Sequence, residues 1–157
     1  MGNGVFNISK GRVVEYYNRV ESNDPSTSAL IVLLGTGAIS DATLIDLDDV
    51  AAIEADAGFA EITDGSYARK TLTDTELAAL PAPDDTNDRY EVDLTDLVWS
   101  SLAGGDSVTR LIIAYDSDTG AGTDSNLIPL CFYDFVVTTD GTDVTAVFNA
   151  AGFYRAA

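Results

Sequence analysis

A continuous apolar stretch, ALIVLLG at 29–35, offers no polar position to water and is rich in branched side chains. Its length and terminal glycine predict a fully buried strand. The period then changes. In DLDDVAAIEADAG, 46–58, Asp46 stands as N-cap with Asp49 three residues on. Leu47, Val50, Ala51, Ala57 and Ile53 can line one side and Gly58 provides a stop, which predicts one short helix with its acids in solvent. Beyond it, SYARKTLT alternates Tyr67, Arg69 and Thr71 against Ala68, Lys70 and Leu72, the pattern of a strand that sends its two adjacent cations to opposite faces.

Thr73 and Glu76 then have capping-box spacing ahead of Leu77 and Leu80, and Pro81 and Pro83 stop any helix there. RYEVDLTDLVW sets Tyr90, Val92 and Leu94 against Glu91, Asp93 and Thr95, predicting a half-buried strand with Trp99 as an anchor at a core edge or an interface. VTRLIIAYD reads as another strand, and LIPLCFYDFVVTTDGTDVTAVF as two or three short ones around a hairpin turn at Asp140–Gly141. GRVVEYYNRV suits either an opening strand or a short helix, closed by turn formers around Pro25. The sum is a mainly β chain: an antiparallel β-sandwich or jelly-roll-like fold with one or two short helices. Residues 1–12 read as a flexible N-terminal arm or edge strand and 13–157 as a single β-rich domain, with no internal repeat and no linker.

Charge narrows the partners. The 26 acidic residues outnumber 8 basic ones, for a net charge of -18, and histidine is absent. Such a surface repels nucleic acid and anionic membrane, so neither is an expected partner. It suits a cationic partner, a salty medium, or a crowded assembly whose subunits must stay soluble first. No apolar run is long enough for a membrane helix, and the first residues lack the apolar core of a cleavable signal. The expectation is a soluble protein made in the cytoplasm. The lone Cys131, inside the apolar run IPLCFYDF, reads as a buried thiol.

Composition also removes much chemistry. Without histidine there is no Ser-His-Asp or Cys-His machinery and no histidine zinc site. Acid pairs such as Glu91 with Asp93 share a strand face and could in principle serve glycoside hydrolysis, but a solvated face accounts for them better. YDSDTGAGTDSN resembles an oxygen-rich calcium loop, with Asp116, Asp118, Asp124 and Asn126 as candidate ligands. Its order departs from the EF-hand, since glycine stands fifth, alanine sixth, and no glutamate twelfth. The glycines of GTG and GAG complete neither a dinucleotide fingerprint nor a phosphate loop. The chain is therefore read as a non-enzyme with no cofactor, calcium being the alternative.

GSYARKTLT, with ALIVLL before it and VTRLIIAYD and NLIPL after it, resembles small virion structural proteins of tailed bacteriophages; FVVTTDGTDVTAVFNAAGFYRA resembles the ending of such proteins. The resemblance spans roughly residues 5–156. It implies a multicopy subunit located in the virion, a capsid decoration or cement protein stabilising the head. Its expected partners are other virion proteins, above all the major capsid protein, and copies of itself in a homo-oligomer such as a trimer. The alternative is a tail or head-appendage component binding a host surface or carbohydrate through aromatics such as Tyr67, Tyr90, Trp99, Tyr133, Phe153 and Tyr154. Candidate assembly contacts are Val5, Phe6 and Ile8 in the arm, Arg69 and Lys70, and Phe153, Tyr154 and Arg155 at the C-terminal end.

Overall fold

The stretch ALIVLLG is apolar throughout because the strand it forms, β2 (Ala29–Gly37), is covered on both faces. The structure, a computed structural model, describes residues 2–149 and 152–156. Leu30, Val32 and Leu34 face one core and Ala29, Ile31 and Leu33 the other, so every parity position is buried.

Antiparallel neighbours complete a six-stranded sheet. β7 (Ser107–Asp116) runs along β2 from Ala29 opposite Asp116 to Leu34 opposite Leu111, and β8 (Ile128–Thr138) lies outside β7. β1 (Gly4–Val5) is a short edge strand on β8, with Gly4 opposite Phe132 and Val5 opposite Cys131. Two strands share the other edge of β2: β3 (Phe59–Glu61) pairs with Gly35–Gly37, and β4 (Lys70–Leu72) with Leu30–Val32. In the gap between them, the Leu34 N–H donates to the Tyr67 hydroxyl at 2.9 Å and its C=O accepts the Ile62 N–H at 3.1 Å. No main-chain group of Leu34 is left bare in a buried place.

The ambiguous opening segment is helix α1 (Val13–Glu21). Val13, Tyr16, Tyr17 and Val20 follow the i, i+3, i+4, i+7 spacing of one helical face, and all four are buried against β2. On the outer face Glu15 accepts from both Arg12 and Arg19. The opposite face of the sheet is covered by two brief helices, α2 (Asp41–Leu44) and α3 (Val50–Ala55), through Leu44, Val50 and Ile53.

Four local expectations are corrected. The helix of the DLDDVAAIEADAG segment is α3, which starts later than expected: Asp49, not Asp46, is its N-cap, and its carboxylate accepts the Ala52 N–H at 2.7 Å. Thr73 and Glu76 do bond, but they close an isolated turn with no helix behind it. RYEVDLTDLVW divides into β5 (Tyr90–Val92) and β6 (Leu97–Trp99), which belong to different ribbons. Finally, Asp140–Gly141 does not close a hairpin: β9 (Val144–Ala146) leaves β8 to pair with β6, while β10 (Tyr154–Ala156) pairs with β5. The turn redirects the chain, with Asp140 accepting the Thr142 N–H at 3.0 Å and Gly141 donating to the Leu102 C=O at 2.8 Å.

Strand at 34% outweighs helix at 16%, which makes this a mixed α/β fold of antiparallel sheets. Among the described residues the sheets do not close into a barrel. Opposite the α2–α3 layer, the second face of the central sheet packs on α1 and the two ribbons, around Val92, Leu97, Trp99, Val144 and Phe153.

Candidate functional site

Arg69, immediately before β4, ties four chain segments together. Its Nε donates to Glu61 Oε1 at 2.9 Å and its Nη2 to Glu61 Oε2 at 2.6 Å, a bidentate pair at the end of β3. Nη2 also reaches Glu54 Oε1 of α3 at 2.5 Å, and Nη1 donates to Asp124 in a 3-10 turn, Asp124–Asn126. Tyr67 supports the arrangement from below, its hydroxyl donating to Glu61 Oε1 at 2.7 Å. Lys70 diverges from Arg69, although the strand expected over SYARKTLT begins only at Lys70, and its Nζ lies 5.4 Å from the centre of the Trp99 ring.

Three carboxylates share one guanidinium, and protonation responds accordingly. The paired acids, Glu61 first, raise the Arg69 guanidinium, and Arg69 holds Asp124 below the usual carboxylate range. Glu54 is left over: burial first, then hydrogen bonding to Glu61 and the charge of Asp124, push it up to about 7. A carboxyl raised in the folded state stabilises most below its unfolded value near 4.5, and that contribution is lost as pH rises through about 7. Glu54→Gln keeps an acceptor for Arg69 and removes the titration. The expected result is a flatter urea midpoint than wild type between about pH 5 and about pH 8, with the gain at the alkaline end. Arg69→Ala is expected to cost about 2 kcal/mol at neutral pH by leaving clustered, partly buried acids unpaired.

The acidic loop does not assemble a calcium site. Asp116 accepts the Asp118 N–H at 2.9 Å, and Asp118 accepts the Gly120 N–H at 3.0 Å. Asp124 is taken by Arg69, and Asn126 closes the same 3-10 turn. Among the described residues no group of three or more acids, cysteines or histidines is placed to hold a metal ion. The loop's oxygens shape its own turns instead. Glu91 lies 3.3 Å from Arg89 and 3.8 Å from Arg155, so it does not stand as a free partner to Asp93.

The arm residues fall into two kinds. Val5 and Ile8 are half-buried, whereas Phe6 is 0% exposed within its own chain, edge-on to Phe132 at 5.4 Å. Phe6 therefore packs into the core of its own chain. At the other end Phe153 is buried, Tyr154 half-buried and Arg155 exposed. The aromatics proposed as platforms are largely spent as well: Tyr67 plugs the β2 edge, Trp99 donates to the Ala68 C=O at 3.0 Å, and Tyr133 donates to the Phe153 C=O. Cys131 is buried, and burial pushes its thiol up to about 12.

Sequence reasoning missed Arg110. It lies in the middle of β7, 0% exposed, and donates to Asp134 of β8 and to Asp41 at the start of α2. It also donates to the Gly2 C=O at 2.8 Å, which fixes the beginning of the arm. The available signal was a charged residue inside the apolar run VTRLIIAYD. A cleft of about 510 Å³ opens between β8 and the chain after β9, lined by Tyr133, Phe135, Val147, Phe148, Phe153 and Arg155 among others. No helix among the described residues is long and apolar enough to cross a membrane. The chain matches no protein-family model, no curated protein and no solved structure.

Proposed function

We propose that the chain is a non-enzymatic structural protein of a tailed-phage virion, a multicopy capsid decoration or cement protein that stabilises the head. The observation that carries this reading is where the family-like segments fall. ALIVLL lies in β2, YAR leads into the Arg69 clasp, LIIAYD lies in β7 and NLIPL opens β8, so the resemblance lies in the framework itself. Motifs that build a rigid block, with their charges consumed in joining segments, suit a protein whose work is to be a well-defined surface.

The net charge of -18 supports the same reading, because self-repulsion keeps free subunits apart until a partner surface collects them. That partner is another virion protein, the major capsid protein first, with the subunit as a homo-oligomer such as a trimer. In this reading the central sheet and the two ribbons facing it across the α1-side core serve as a reduced, sandwich-like unit. The cleft beside Phe135 and Phe148 favours a second role, a head or tail appendage that holds a host-surface carbohydrate.

Mass spectrometry and cryo-electron microscopy of purified particles test the proposal. The expected result is many copies per particle, on the capsid lattice. A ring at a vertex or on the tail transfers the protein to the appendage class, and saturable binding on a glycan array then supports the carbohydrate role. Complete absence from particles overturns both.

A further inference from the structure

The sheet has one edge that its own chain leaves open. β1 accompanies β8 only at Cys131 and Phe132, and the Asn3 side chain then takes the Asp134 N–H at 3.0 Å. Among the described residues no strand flanks β8 beyond that point on the β1 side. Exposed edges are ordinarily blunted by charge, proline or cover. Here the sequence is Phe135, Val136, Val137, and Val136 is 77% exposed. The register shift between Val108 and Arg110 places the extra residue in β8, between Asp134 and Val137, so a bulge twists the edge there and Asp134 is its one charge.

We propose that the β8 edge from Tyr133 to Thr138 receives an extended, lysine- or arginine-bearing segment of another protein as an added strand. Burial alternates along the edge from Tyr133 to Thr138 in spite of the bulge. Tyr133, Phe135 and Val137 are half-buried against the α1-side core, the first two lining the cleft, and Val147, 74% exposed, and Phe148 form its far wall. Asp134, Val136 and Thr138 are exposed between them in sequence. A docked strand places one set of side chains in the cleft and the alternate set beside Val136, which is how strand addition reads sequence while main-chain bonds supply affinity.

Charge selects the occupant. Asp106 and Asp140 lie beside the Thr138 end, where Thr139 bonds to Asp106, and Asp96 accepts the Phe148 N–H at 3.0 Å at the cleft. These acids outnumber Arg155, the one cation lining the cleft, and sit on a molecule of net charge -18. Edge-to-edge pairing of two copies brings like surfaces within the screening length of about 8 Å at physiological salt, whereas a basic segment is drawn in. The inference concerns the surface alone and stands whether or not the assembly is a virion.

A short blocked peptide alternating valine and lysine is the probe, titrated into the isotope-labelled full chain and followed by NMR. The expected result is saturable binding, with shifts and slowed amide exchange concentrated in Tyr133–Thr138. Val136→Lys is expected to weaken binding about tenfold, and the valine–glutamate peptide to bind at least about tenfold more weakly than the lysine one. Ser26→Lys adds the same charge at an exposed position by the opposite end of the sheet, where Tyr115 meets Ile128, and is expected to leave binding nearly unchanged. Both substituted positions are exposed, so folding is retained. Equal weakening by the two variants, or shifts spread over the acidic surface, overturns the proposal in favour of diffuse attraction. A free protein that is already dimeric, with Tyr133–Thr138 amides protected on self-association, overturns it in favour of a second copy.

Discussion

Arg110→Met is expected to lower the unfolding free energy by about 3 kcal/mol and to loosen the N-terminal strand. Methionine fills much of the space of the arginine stem, so the loss isolates the guanidinium rather than a cavity. That group is buried between the sheet and α2, where it neutralises Asp41 and Asp134 and binds the main chain at Gly2 and Ile39. It also lies 5.4 Å from the centre of the Phe132 ring. The two carboxylates are 41% and 31% exposed and recover part of their hydration, which holds the cost to the lower end for a broken buried pair.

The same substitution carries a pH signature. Arg110 holds Asp41 below the usual carboxylate range. Stability from a depressed acid is present above its unfolded value of 3.8 and disappears as pH falls through the lower folded value. The difference between wild type and Arg110→Met should therefore narrow in strong acid. Urea titrations at several pH values check this, and amide exchange at Asn3–Phe6 checks the loosened strand. A midpoint equal to wild type at neutral pH would show that the arm and α2 are held without Arg110.

What the sequence disclosed depended on the range of the interaction. β2, β7 and the start of β8 are continuous apolar runs because both sheet faces are covered, and local composition alone marks them. Arg69 and Lys70 were also legible as divergent, since alternation is a local rule. Their partners were not: Glu54, Glu61 and Asp124 lie 15, 8 and 55 residues from Arg69. Arg110 meets Asp41 across 69 residues and Asp134 across 24. Among 26 acids, no spacing singles these out.

The misread turn has a similar cause. Asp140–Gly141 has hairpin chemistry, and the φ of Gly141, 92°, is one that glycine adopts without strain. Turn chemistry fixes where the chain bends, however, not which strand it meets next. The partner of β9 was decided by Leu97 and Trp99, whose burial with Val144 and Ala146 draws that ribbon onto the α1-side core. The slip in the helix start is smaller. Asp46 and Asp49 are equally competent caps, and only the burial of Val50 and Ile53 chooses the later one.

Phe6→Ala is expected to destabilise the folded subunit by about 3 to 4 kcal/mol, comparable to or larger than the effect at Arg110. The ring is enclosed by the α2–α3 side of the sheet, and its backbone N–H donates to the Leu130 C=O at 3.1 Å. One residue further on, the Asn7 N–H donates to the Ile45 C=O at 2.8 Å, so both walls of the seat hold the arm. Gly4 sets the approach: a Cβ there would stand 2.5 Å from a ring carbon of Phe132, so only glycine lets the arm pass this close. Deleting residues 2–8 should consequently lower the urea midpoint of the isolated subunit, and any failure to join particles would follow from that loss. Val5→Ser, at a half-buried edge position, is expected to cost much less than Phe6→Ala. If Phe6→Ala instead leaves the isolated subunit at its wild-type midpoint and impairs only assembly, the seat beside Phe132 belongs to a neighbour's arm, and the strand at Gly4–Val5 is exchanged between copies.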